Sequence, residues 1–276
     1  MSPRLLLGLL CCAPVLALAD AAPDPAAVQK QIQDLEKQQR REAQKIDQAE
    51  EQERIKLRAR ERDELAKVQR DTSSAVATAT TGAVATGTTA AFDPAKFAQL
   101  KFAEDEVHNL IQNQLGAEIS LRFDRERKAL DRKYALQRAK LEAQQIDAGD
   151  DTAKQRETAT KTADLNDQYQ QKYDDLALEQ ATEEAKVRYA RTTAINTAER
   201  DLAALMNKRM LDQTSKPGAA PWNPAADPDY AKLTAARDQA KNELETALDE
   251  VRAKFSSRKT DLDNAKEDDL AKLNGG

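Results

Sequence analysis

One histidine, His108, stands in a chain that carries 48 aspartates and glutamates. Glu104 and Asp105 precede it by four and three residues, so a helix would bring all three to one face, a spacing able to present metal ligands. Carboxylate metal sites in helical bundles draw further Glu and Glu-x-x-His ligands from facing helices. The chain has no second histidine to complete such a set. His108 is therefore expected to be an ordinary helix-surface or boundary residue, and no metal or other cofactor is expected.

Nucleophilic and acid–base chemistry find no better footing. Beyond residue 19 the serines are Ser73, Ser74, Ser120, Ser215, Ser256 and Ser257, and none sits on a strand-to-helix turn that would expose a nucleophile. Carboxylate pairs such as Glu50-Glu51, Asp174-Asp175 and Asp268-Asp269 abound. On solvated helices such pairs titrate normally and do no acid–base work without a water-excluding pocket. A glycine-rich phosphate loop is absent. No catalytic residue is expected, and the chain reads as a non-enzyme.

Trp222 is the one residue whose type suggests recognition. It lies in Pro221-Trp222-Asn223-Pro224, a loop sequence between two helical stretches. A lone tryptophan can anchor a protein partner, because tryptophan dominates binding hot spots. It can equally fold back to cap the end of a bundle. The second is the stronger expectation, since a large ring is costly to leave in water.

These side chains must be positioned by something, and composition says it is helix. Of 276 residues 33% are charged and 4% aromatic, with a net charge of −5. A thin apolar supply among Ala, Gln, Glu, Lys and Arg suits long exposed helices rather than a compact globule. The slightly acidic balance excludes nucleic acid as an expected partner. Residues 1–19 resemble a secretory leader: Arg4, then the apolar run Leu5 to Leu18, then Ala17-Leu18-Ala19 as a cleavage site before Asp20. The run is short for a membrane span, which needs roughly 20 apolar residues. Export to the periplasm or extracellular space, and a soluble chain after cleavage near Ala19, are the expectations. Cys11 and Cys12 both lie in the leader, so disulfides are not expected in the mature chain.

Proline and glycine divide the remainder. Asp24-Pro25, Asp93-Pro94 and Asp227-Pro228 each place an aspartate where it can cap a helix and a proline where no N–H is needed. Gly149 followed by Asp150-Asp151 reads as the tip of a helical hairpin. The spacing predicts helices over about 25–71, 94–148, 151–212 and 228–274. The resulting segments are an N-terminal long helix (20–71), a linker (72–92), a long hairpin (93–212) turning near 149, a proline-rich loop (213–227) and a C-terminal long helix (228–276). The uncharged TSSAVATATTGAVATGTTAA of residues 72–91 is expected to be flexible, because threonine and glycine weaken helix.

The apolar residues return every eleven positions. Leu35, Ile46, Leu57 and Val68 do so in the first helix, and Ile119, Leu130 and Leu141 in the second, beside Phe123 and Tyr134. Leu165, Leu176, Val187 and Ala198 continue the pattern in the third, and Leu233, Leu244 and Phe255 in the fourth. The start of the second helix allows heptads through Leu100 and Val107. Eleven residues make three turns with a drift of only ~20°, so such helices pack nearly straight. The second and fourth helices also begin alike: Phe97, Leu100, Asp105 and Asn109 match Tyr230, Leu233, Asp238 and Asn242 at a constant offset. Shared helix-start chemistry accounts for that likeness more simply than duplication.

The expected fold is all-α: a long, elongated antiparallel coiled-coil or helical hairpin of eleven-residue apolar periodicity. The fourth helix packs back along the hairpin, and the first joins it or pairs with another chain. The expected function is that of a structural spacer, scaffold or assembly component working through helix–helix packing with protein partners, self-association included. The alternative is a periplasmic holdase that clasps clients between helical arms.

Overall fold

The computed structural model describes residues 24–86, 94–146, 151–215 and 221–275, with backbone alone at 71–86, 94, 95, 97 and 275. The leader, Asp93 and the hairpin tip at Gly149 lie outside the described residues. The protein is all-α, with no strand among the described residues. Among the described residues five α-helices follow in order: α1 (Pro25–Thr86), α2 (Pro94–Asn109), α3 (Ala117–Gln144), α4 (Thr152–Thr214) and α5 (Pro228–Gly275). A π-helical segment, Leu110–Gly116, joins α2 to α3 without interrupting the rod, and a 3₁₀ turn, Pro224–Ala226, precedes α5. At ~1.5 Å per residue, the 63-residue α4 is about 95 Å long.

Two of the aspartate–proline starts work as their chemistry suggests. Asp24 accepts the Ala26 N–H at 3.0 Å. Asp227 accepts the N–H groups of Asp229 at 2.9 Å and Tyr230 at 3.3 Å. These bonds satisfy donors that a helix start leaves unpaired. Asp151 stands at the start of α4 but its side chain makes no capping bond there.

Two boundaries differ from those expected. Residues 72–86 continue α1 instead of forming a flexible linker. Once a helix is running, each further residue adds a hydrogen bond without a new nucleation cost. The alanines of this stretch are the best helix formers, and its threonines each cost only ~0.5 kcal/mol against them. The second difference is that the rod from Pro94 is not uniformly α-helical, and α3 ends at Gln144 rather than near 148.

The buried side of α1 follows the eleven-residue beat. Val28, Ile32, Leu35, Gln39, Ala43, Ile46, Glu50, Arg54, Leu57, Glu61, Leu65 and Val68 are all buried or half-buried, and from Leu35 onward their spacing repeats as four, four and three. In α5 the same spacing selects Leu233, Leu244, Leu248, Val251, Phe255 and Leu262. Leu248 and Phe255 are each 1% exposed.

The rods lie side by side in chain order. Among the described residues α1 packs on α2, the π segment and α3; these pack on α4; and α5 packs only on α4 and its own 3₁₀ turn. Among the described residues α1 touches neither α4 nor α5. Every neighbouring pair is antiparallel, as the cross-links show. Asp47 meets Arg127 at 2.9 Å, and Glu61 meets His108 at 2.9 Å. Asp164 meets Lys140 at 2.7 Å, while Asn196 reaches Glu106 at 2.7 Å. Glu179 meets Arg258 at 2.8 Å, and Arg191 meets Glu243 at 3.0 Å. Asp174, Thr193 and Asn196 of α4 face α2 and α3, whereas Tyr169, Arg191 and Arg209 on its opposite side face α5, Arg209 through Asp229. The molecule is therefore a single-layer raft rather than a closed bundle.

In such a raft each seam depends on few apolar side chains. Phe255→Ala is expected to lower the unfolding free energy by about 3–5 kcal/mol, the usual cost of emptying a buried aromatic site. Urea denaturation followed by circular dichroism checks this; a loss under ~1 kcal/mol would mean that α5 is not held through this seam.

Candidate functional site

The most heavily buried polar chemistry lies where the π segment crosses α4. Asn109, 3% exposed, donates through Nδ2 to the Tyr189 carbonyl at 3.1 Å and to Thr193 Oγ1 at 3.0 Å, and its Oδ1 accepts from Asn113 at 2.9 Å. Thr193 donates in turn to Glu106 Oε2 at 3.0 Å, and Asn196, 8% exposed, donates to Glu106 Oε1 at 2.7 Å. Both oxygens of Glu106 are thus engaged by α4. A closed network of this kind positions helices: a slip along α4 would strand its donors, at about 1–3 kcal/mol per buried unpaired group.

The π geometry beside it has a local cause. Gly116 has no side chain, and a Cβ there would lie 2.9 Å from the Ile111 carbonyl oxygen. Ser120, one turn further on, donates to the Gly116 carbonyl at 2.9 Å and accepts from Arg54 of α1 at 2.9 Å. Ile111, at the start of the same turn, is 1% exposed. Next to it, Asn113, Ala117, Leu121, Ala185 and Tyr189 line a cleft of about 230 Å³ between the rod and α4.

The α1–α3 seam holds the strongest ionic cluster. Burial pushes the Glu50 carboxyl up, but hydrogen bonds from Arg127 and Arg54 outweigh it and hold the group below its ordinary value. Asp47 shares Arg127, whose own pKa is raised by Glu50 and then Asp47. Beside this cluster, burial and then Glu42 push the Tyr134 hydroxyl up to about 12.

Trp222 folds back at the end of the raft. Its Nε1 donates to Asp227 Oδ2 at 3.0 Å, and its ring meets Tyr230 edge-on, with centroids 5.8 Å apart. Arg209 at the end of α4 also bonds Asp227, at 2.8 Å, so the carboxylate ties the loop and two helices together. The Arg209 hydrogen bond, helped by Trp222 and the backbone N–H groups, outweighs burial and lowers the Asp227 carboxyl to about 2.

The sequence candidates are not brought together. His108 lies against Glu61, Asp105 pairs with Lys101 at 2.8 Å, and Trp222 stands at another place in the raft. Sequence reasoning singled out none of Glu106, Asn109, Thr193 and Asn196 as a group, because their common feature is a shared seam and not a motif. The assembly is a layer of antiparallel rods cross-tied by polar networks. Comparison with protein-family models, with curated proteins and with solved structures finds no match.

Replacing a mid-helix glycine by alanine usually stabilises by ~0.5–1 kcal/mol. For Gly116→Ala the opposite sign is expected, a loss of about 1–3 kcal/mol from overpacking against Ile111. A raised melting temperature would refute the assigned role of Gly116.

Asp227 gives a pH test. Its carboxyl is lowered from an ordinary 3.8 to about 2. A depressed carboxylate contributes stability that is fully present above the unfolded pKa and vanishes as pH falls through the folded one. That contribution should fade between pH 4 and pH 2 and be missing in Asp227→Asn. Trp222 is the only tryptophan, so its fluorescence reads this site directly. A wild-type emission change centred near pH 4, with nothing towards pH 2, would contradict the assignment.

Proposed function

We propose that this chain is a non-enzymatic spacer or scaffold, exported by its N-terminal leader, that holds attached partners apart along a straight helical raft. The observation that carries the reading is the single-layer order. Each rod is tied to its chain neighbours along its length, and most of the apolar stripes are covered in those seams. A layer about 95 Å long, cross-tied at many points, resists bending better than one isolated helix. Among the described residues no helix is long and apolar enough to cross a membrane, which agrees with a mature chain working outside the bilayer.

The buried and half-buried polar groups favour the same reading. Glu106, Asn109 and Asp227 are saturated by their own neighbours. Such groups fix register, and they offer no free base or nucleophile to a substrate.

The holdase alternative draws on Met206, Met210 and Leu211, which are exposed near the end of α4. Methionine adapts to varied apolar surfaces, but client capture by long arms needs a broad apolar lining, and these residues occupy a short stretch. Purified chain mixed with an equimolar, chemically unfolded client is expected to leave its aggregation unchanged. Light scattering reads the outcome. Near-stoichiometric suppression without ATP would overturn the spacer reading in favour of the holdase.

A further inference from the structure

We infer that α4 carries a self-complementary surface through which two copies of the raft pair face to face, their α4 helices antiparallel. The inference goes beyond the spacer reading and stands apart from it, since a raft could be a spacer without pairing.

α4 buries two nearly opposite sides, one against α2 and α3 and one against α5. Between them runs a row that includes Ala177, Ala181, Arg188, Ile195, Glu199, Met206 and Met210. Six of these residues fall on the same eleven-residue spacing that marks the packed seams: 177, 188, 199 and 210 are one series, and 195 and 206 another; Ala181 lies beside them, one turn from Ala177. Among the described residues no rod of the chain covers this face, because α4 has only the neighbours already named. Met206 is 37% and Met210 53% exposed.

The order of residue types along the row identifies the occupant. Reversing a copy of α4 about a point between Thr193 and Ala194 sets Met210 opposite Ala177 of the second copy, and Met206 opposite its Ala181. The large, adaptable side chains meet the small ones at both ends, where close approach of two helices needs space. The same reversal sets Arg188 opposite Glu199 twice, once on each side of the centre. Within one chain Arg188 lies 4.0 Å from Glu184 with its side chain 44% exposed, and Glu199 meets Lys241 at 3.1 Å with its side chain 39% exposed. Both groups are free to share a further partner. Two-fold pairing requires that i meet j while j meets i, and this row meets that condition in size and in charge together. A parallel arrangement would set Arg188 on Arg188 and Glu199 on Glu199, which repel.

Sedimentation equilibrium of the full chain tests the pairing. The wild type is expected to dimerise, and the double variant Met206→Glu, Met210→Glu to be monomeric with unchanged helical content by circular dichroism. Arg188→Glu and Glu199→Arg are each expected to weaken the dimer roughly tenfold, and the two together in one chain to restore it. A monomeric wild type, a dimer that survives both methionine substitutions, or a charge-reversed double variant no tighter than the singles would overturn the pairing. A chain that dimerises through α4 yet suppresses client aggregation would overturn the spacer reading alone.

Discussion

A helix whose apolar residues return every eleven positions presents them as a stripe running almost straight along its axis. Two such helices can stay in contact over their whole length without coiling around each other, and a third can lie on the far side of the second. α4 does this, burying one stripe against α2 and α3 and another against α5. Flatness and length both descend from that phase. So does the open architecture, because stripes this narrow leave two sides of each rod in water. The chain exposes 19303 Å², against about 11,800 Å² for a compact protein of this mass.

The phase fixes direction but supplies little apolar material. In α1 the row Leu35, Ile46, Leu57, Val68 is apolar throughout, whereas Val28, Gln39, Glu50, Glu61 and Ile32, Ala43, Arg54, Leu65 are mixed. Polar seam positions must find partners across the seam, and they do: Gln39 reaches Asp131 at 2.9 Å, and Glu50 and Arg54 reach Arg127 and Ser120. Exposed ion pairs contribute only about 0–1 kcal/mol each, so the ladders of α4 and α5 are weak as a source of stability. Their effect is on register. A slip of one turn would exchange attraction for repulsion or leave buried groups unpaired, so apolar burial drives pairing and the polar groups select one alignment.

The sequence made the rods legible because proline, glycine and capping aspartates act locally, and because the apolar period depends on helix geometry alone. Two features were harder to read. The extension of α1 through residues 72–86 is hidden because threonine and glycine weaken an isolated helix, whereas continuation from a long helix already formed carries no new nucleation cost. The π segment left a fainter mark. The apolar stripe passes from Val107 to Ile119, twelve residues instead of eleven, with Gly116 between. One surplus residue in a rod that must stay in phase is what a π turn absorbs. The buried network was not legible at all. Asn109 and Asn242 occupy matching places in similar helix starts, yet Asn109 is buried against α4 and Asn242 is exposed. The difference lies in how many neighbours each rod has, which local sequence does not encode.

That contrast bears on why the polar network sits on the central rods. An edge rod such as α5 answers to one neighbour, and a small error in its phase can relax into solvent. The rod built from α2, the π segment and α3 is gripped on both sides, by α1 through Glu61, Arg54 and Asp47 and by α4 through Thr193 and Asn196. Its surplus residue cannot be accommodated by sliding, because either slide would break one set of bonds to save the other. The extra residue must be taken up inside the helix, at the one position where the backbone can widen without a side chain striking the preceding carbonyl. Gly116 is that position. The π segment is thus a consequence of layer order: a rod with partners on two faces keeps both registers by yielding its own hydrogen-bond pattern.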